Sequence, residues 1–195
     1  MLGHRTMIGL KRHTVRVVDH HPGWAALAAD ACQEVRLAGG ALLADLQHVG
    51  STAVPGLPAK PILDLAAGLR TLEAIPEIVR RLTDIGYIYR GDGGDDGGLL
   101  FVRESSPDVR TIHLHVVEHN GNQWKNYLLL RDLLRQDAQL RKRYAELKRR
   151  LAEELGNDRK AYTASKQDFI RAVLHSHTKT QQAHAPDPPS RARDA

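Results

Sequence analysis

The sequence predicts an α+β fold: a mixed or antiparallel sheet with flanking helices, covered by a C-terminal helical layer. Three observations carry that prediction. Short apolar runs of strand length fill the first two thirds of the chain, punctuated by Gly and Pro. Past Asn120 the apolar residues switch to helical spacing, and no segment repeats another. With 195 residues, the chain fits one domain with a self-sufficient core.

The elements follow in order. Residues 1–13 read as a flexible leader, 14–176 as the domain, and 177–195 as a disordered tail, because APDPPSRARDA is polar and Pro-rich. Val15–Val18 reads as a short strand, and Pro22 opens a helix carrying Trp24, Leu27, Ala28, Ala31, Val35 and Leu37 to Leu42, weakened by Gly39-Gly40. Strands are expected over 45–49 and 61–67, on either side of a turn at Gly50. Ile75, Ile78, Val79 and Leu82 keep i, i+3, i+4, i+7 spacing and mark an amphipathic helix ending near Gly86. Tyr87-Ile88-Tyr89 reads as a strand. The Gly/Asp segment 91–98 reads as a loop, either a lid or a hairpin tip, without the residue order of a calcium loop. Strands 99–103 and 110–117 flank a turn at Ser105–Asp108. Three helices then follow, marked by Trp124 to Leu134, Leu140 to Leu155, and Tyr162 to Val173.

Composition narrows the partners. A net charge of +5 permits phosphorylated ligands. The basic runs Arg141-Lys142-Arg143 and Lys148-Arg149-Arg150 interleave with Glu146, Glu153 and Glu154, which reads as a solvated helix face. Nucleic acid is therefore not expected as a partner. Cys32 is the only cysteine, which excludes an intramolecular disulfide framework and fits a cytoplasmic protein. No apolar run approaches the ~20 residues of a membrane helix, and no secretory signal is apparent.

Chemistry concentrates in His48–Ala66, HVGSTAVPGLPAKPILDLA. A strand breaks at Gly50, and the hydroxyls of Ser51 and Thr52 follow. A stiff Pro55-Gly56…Pro58 loop leads to Lys60, and Asp64 lies in the next apolar run. Hydroxyls and N–H groups at a Gly turn suit phosphate. A carboxylate in an apolar run needs a metal, a donor or a cation; Lys60, on the same strand face, is one such partner. His113 and His115 share a strand face, where they can bind a metal, bind phosphate, move a proton, or simply line a solvated cleft. His48 is a further candidate for that cleft. Arg131 and Arg135 share a helix face, as do Tyr162 and Lys166. Arginine's planar fork suits phosphate, and the alternative is an exposed salt-bridge ladder.

In this order the parts resemble the nucleotidyltransferase superfamily, and more specifically the GrpB family. The residues that carry the resemblance are His48-x-Gly50-Ser51-Thr52, Val54-Pro55-Gly56-Leu57, Ala59-Lys60-Pro61-x-x-Asp64, His113-Leu114-His115-Val116, Arg131-Asp132-x-Leu134-Arg135, Tyr144-x-x-Leu147-Lys148 and Tyr162-x-x-x-Lys166. The resemblance implies a nucleotidyltransferase-like fold binding a nucleotide such as ATP, or another phosphorylated small molecule, with Mg²⁺. Ser51 and Thr52 would hold phosphate, together with His48, Gly50, Tyr162 and Lys166. Lys60 with Arg131 or Arg135 would neutralise it. Asp64 would hold the metal, and His113 or His115 would assist proton transfer. The reaction implied is transfer of a nucleotidyl or phosphoryl group to a small acceptor. The alternatives are a non-catalytic module for a nucleotide or CoA precursor, since some family members are fused to dephospho-CoA kinase, or recruitment to another group-transfer reaction. One departure is visible: the superfamily's second carboxylate would stand two residues after Asp64, and Ala66 is there. Two-metal catalysis needs carboxylates that clamp both ions.

Overall fold

At the centre of the sheet, β3 (Leu63–Leu69) runs parallel to β6 (Val109–Glu118), with Asp64 beside His113 and Ala66 beside His115. The other pairings are antiparallel. β2 (Leu43–Val49) flanks β3, while β5 (Leu99–Ser106) and then β4 (Ile88–Asp92) continue from β6, giving the order β2-β3-β6-β5-β4. The computed structural model describes residues 8–92, 98–156 and 158–183.

Alternation along β3 and β6 divides the chemistry from the core. Leu63, Leu65, Ala67 and Leu69, with Ile112, Leu114 and Val116, face α1 (Trp24–Gly39) and α2 (Ile75–Asp84), where Trp24, Val35, Ile78 and Leu82 are buried. The intervening residues, Asp64, Ala66, His113, His115 and Val117, face the other way. That second face meets α3 (Asn122–Gln136) through Trp124, which packs with Val49, Ala66 and Val117. Helices α4 (Ala138–Glu154) and α5 (Arg159–Ala183) complete the layer. Their Leu140, Tyr144 and Phe169 pack on Val54 and Leu57 of the loop between β2 and β3. Asp137 caps α4, its carboxylate accepting from the Gln139 and Leu140 N–H groups at 2.8 and 2.9 Å.

The mixed α+β architecture and its C-terminal helical layer match the sequence reading, but several boundaries differ; the first helix ends at Gly39 rather than Leu42, and β3 runs Leu63–Leu69 rather than 61–67. Val15–Val18 forms no strand: Val18 makes a single bridge with Ala59, because the neighbouring Pro58 and Pro61 have no N–H to continue a ladder. Within the segment read as a leader, Leu10–Lys11 form β1 against Val109 and Arg110. The turn expected over Ser105–Asp108 shrinks to Pro107-Asp108, with Asp108 at φ 63, a left-handed conformation that Asp tolerates. Helix α5 continues to Ala183, through a stretch of helix-compatible Lys, Gln and Ala that precedes the first proline of the tail. The segment read as a lid or hairpin tip falls largely on residues 93–97, outside the described residues, as do 184–195 of the tail.

Gly50 couples the β2–β3 turn to the second sheet face. Its backbone (φ 69, ψ −169) is a conformation open essentially to glycine, and a Cβ there would stand 2.6 Å from Asp64 Oδ2. Gly56 also has positive φ (74), but a Cβ there would meet nothing within 4 Å. Gly50→Ala is therefore expected to destabilise the protein by roughly 2–4 kcal/mol, strain and clash together, against roughly 1 kcal/mol for Gly56→Ala. Urea unfolding of both variants checks the ordering.

Candidate functional site

The loop between β2 and β3 has little regular structure to satisfy its carbonyls, and the helical layer does so with cations. Beyond Gly50 the chain makes one 3-10 turn, Ser51–Ala53. Arg131 of α3 donates to the His48 carbonyl at 3.2 Å and to Gln47 Oε1 at 2.9 Å. Arg135 donates twice to the Ala53 carbonyl, at 3.0 and 2.8 Å. Lys148 of α4 donates to the Pro58 carbonyl and lies 3.0 Å from Ser51 Oγ. Arg135 and Lys148 thus pin the loop at two points, and Arg131 holds the end of β2 that leads into it.

Beneath this loop, between the second sheet face and the helices, is a cavity of about 620 Å³. Of the residues singled out from the sequence, Gly50, Ser51, Thr52, Lys60, Asp64, His113, His115, Arg131, Tyr162 and Lys166 line it. Five of its lining residues are Lys or Arg (Lys60, Arg131, Lys148, Lys166, Arg171) and one is an acid, Asp64, so the cleft favours an anion.

The sheet register assembles the acid and the imidazoles. Asp64 Oδ1 is 3.3 Å from His113 Nδ1 and 3.8 Å from His115 Nε2. Burial disfavours charge on Asp64, but the two imidazoles outweigh it and hold the carboxyl well below the usual carboxylate range. His115 also packs against the Tyr127 ring, with centroids 5.1 Å apart. Lys60 lies in the loop, since β3 begins only at Leu63, and not on the strand face of Asp64 as the sequence suggested. Its Nζ sits over the Tyr162 ring, 4.0 Å from the centroid.

Two anticipated ligand residues stand outside the cavity. His48 is turned to Thr52, with Nε2 2.9 Å from Oγ1. Burial pushes its pKa down to about 4, against a partial opposing pull from Asp64, so the ring is neutral at pH 7 and orients the threonine. Arg135 is committed to the Ala53 carbonyl. Arg131 does line the cavity, but its guanidinium also pairs with Asp132 at 2.7 Å, so it acts first as a loop clamp.

Lys148 and Tyr144 also line the cavity, and the sequence reading placed neither in the site. Lys148, assigned to a solvated face, is 2 % exposed. Leu140, Tyr144 and Lys148 recur at i, i+4 and i+8, so the lysine falls on the apolar stripe of α4; that spacing was the available signal. Burial, reinforced by Lys166, lowers the Lys148 pKa well below its ordinary value.

The donor set around Asp64 does not fit a protein-held pair of Mg²⁺ ions. Such a pair needs carboxylates bridging ions about 4 Å apart, with oxygen ligands throughout. Asp64 Oδ1 is engaged by two imidazoles. Ala66 is 0 % exposed in an apolar cluster, leaving no second acid beside it. Among the described residues, no group of three or more His, Cys, Asp or Glu is arranged to hold a metal ion. Nor, among them, is any helix long and apolar enough to cross a membrane.

The His48 environment generates a pH prediction. Its folded pKa lies below the unfolded value, so between about pH 4 and 6.5 the unfolded chain binds a proton that the folded chain does not. Stability is complete above that window and falls as pH drops through it, by up to roughly 3 kcal/mol from this residue. His48→Gln, which can still bond Thr52, is expected to flatten that part of the profile in urea titrations at pH 7.5 and 4.5. An unchanged slope contradicts the assignment.

The fold has counterparts among known proteins. The family described as GrpB protein matches residues 14–176. The glutamate-rich protein GrpB of Alkalihalophilus pseudofirmus is 31 % identical over 172 residues, covering 87 % of this chain and 99 % of that protein. The crystal structure of GrpB from Enterococcus faecalis superposes with a TM-score of 0.73 at 25 % identity, covering 83 % of this chain and 99 % of that one. A Cid1 poly(U) polymerase structure bound to MgATP superposes with a TM-score of 0.51 at 14 % identity, covering 70 % of this chain and 44 % of that one, a likeness of fold alone. The chain belongs to the GrpB family, built on a nucleotidyltransferase-like fold.

Proposed function

We propose that the cleft binds a phosphorylated small molecule, with nucleotides such as ATP as the leading class. The single observation that carries this reading is the charge of the lining: Lys60, Lys166, Arg131 and Arg171 against Asp64 alone. Ser51 and Thr52 add hydroxyl groups, and the cavity of about 620 Å³ falls in the range of small-molecule sites. The nucleotidyltransferase-like fold supports the nucleotide class, since the Cid1 neighbour is bound to MgATP. Lys60 and Lys166 are the residues to which we assign the phosphate charge.

Ala66, buried among Val49, Val117 and Trp124, favours binding over two-metal nucleotidyl transfer. Mg²⁺ enters in this reading with the ligand's own phosphates, Asp64 being the carboxylate nearest to hand.

ATP, pyrophosphate or dephospho-CoA should raise the melting temperature, with roughly 2.7 kcal/mol of stabilisation at a hundredfold excess over Kd. Lys60→Gln combined with Lys166→Gln should remove most of the shift, and Asp64→Asn should remove any Mg²⁺-dependent increment. Absence of a response to every nucleotide and phosphorylated compound tried contradicts the proposal.

A further inference from the structure

Anion binding leaves one buried group unexplained. Lys148 is 2 % exposed, yet among the described residues it forms no ion pair with a carboxylate. Its contacts are Ser51 Oγ at 3.0 Å, the Pro58 carbonyl, and the Tyr144 ring 4.7 Å from its nitrogen. A buried ammonium without a counter-charge is strongly disfavoured, and the neutral amine relieves the penalty. A neutral amine also satisfies both polar contacts, because one N–H donates to Pro58 while the lone pair accepts the Ser51 hydroxyl proton. The charged groups around it act in opposing directions: Lys166 and Arg149 favour the neutral form and Asp64 the charged one, with burial the largest influence. Tyr144 and Tyr162 are the other titratable groups nearby. Burial raises both, Tyr162 to about 12, so each keeps its proton at neutral pH.

We propose that Ser51 and Lys148 form a nucleophile–base pair, and that the cleft transfers the acyl group of an ester or thioester whose leaving group carries a phosphate. The proposal rests on the anion-binding reading only for the phosphate, which Lys60 and Lys166 hold. Phosphoryl transfer fits this cleft less well, because it leans on metal ions that the single lining carboxylate cannot clamp. Acyl substitution needs a nucleophile, a base and a donor for the oxyanion, and all three are present. Ser51 Oγ bonds to the acyl carbon as its proton passes to Lys148 Nζ. The carbon–oxygen or carbon–sulfur bond of the tetrahedral adduct then breaks, and its electron pair leaves with the alcohol or thiol, which takes the proton from Lys148. Water, or an acceptor alcohol or amine, loses a proton to Lys148 and attacks the acyl-serine. Ser51 departs, recovering that proton. The Tyr144 hydroxyl, which keeps its proton at neutral pH and lines the same cavity as Ser51, is the group assigned as donor to the oxyanion.

The test is labelling of the full chain with a fluorophosphonate, which gives a stable adduct as a serine–phosphorus bond replaces phosphorus–fluorine. Peptide mapping should find the adduct on Ser51, with none in Ser51→Ala. Labelling of Lys148→Arg, which keeps a donor for Pro58 but supplies no base, should be slower by about 100-fold or more. On the unmodified protein, the labelling rate should reach its plateau below the ordinary lysine range, a readout that stands even if Lys148→Arg fails to fold. No adduct on Ser51, an unaltered rate in a folded Lys148→Arg, or a rate still climbing through the ordinary lysine range overturns the proposal. Pyrophosphate thermal shifts on the same samples separate the two readings. A shift without labelling leaves phosphate binding standing and removes the dyad, and labelling without a shift does the reverse.

Discussion

Everything in the cleft depends on how the loop from Gly50 to Pro58 is held. A loop that lies under helices carries backbone carbonyls that no strand or helix satisfies, and leaving them unpaired is costly. Here Arg135 and Lys148 donate to the carbonyls of Ala53 and Pro58, and Arg131 donates to that of His48 at the end of β2. The apolar side of the same loop, Val54 and Leu57, is sealed by Leu134, Leu140 and Tyr144. Hydrogen bonds and packing therefore fix one geometry from two directions, and the helical layer positions a loop that is remote from it in sequence.

A second constraint acts within the sheet. Because β3 and β6 run parallel with Asp64 beside His113, a carboxylate and two imidazoles meet on one face, and Gly50 leaves the room they need. The opposite face of the same strands is filled by the core on α1 and α2. A one-residue slip of either strand would exchange the two sets, so core packing and site geometry are specified together. Ala66, on the site face, converts what would be a second acid position into part of the apolar contact with Trp124.

Much of this was legible in the sequence, for physical reasons. Period-2 alternation put His113 and His115 on one face, and the turn at Gly50 followed from glycine punctuation next to hydroxyl residues. The spacing of Ile75, Ile78 and Leu82 gave α2 without ambiguity. Cross-strand register was not legible, since nothing local says that Asp64 lies beside His113. Lys148 was hidden for another reason: its neighbours are Arg and Glu, and their charges masked a position that belongs to the Leu140–Tyr144 stripe. His48 and Arg135 were read by residue type as ligands, but their carbonyl and hydroxyl partners lie in a loop whose path only the tertiary structure defines. For His48, burial then shifted the pKa away from the neutrality that had recommended it.

In the function proposed above, the pinned loop and the lysine-rich wall together make an anion site. A crystal structure of the chain with bound pyrophosphate or ATP tests it most directly. Phosphate density is expected between Lys60 and Lys166, above the Ser51–Asp64 face, with Arg131, Arg135 and Lys148 still bonded to the carbonyls of His48, Ala53 and Pro58. Phosphate bound elsewhere, or a loop released from those three residues to meet the ligand, would contradict it.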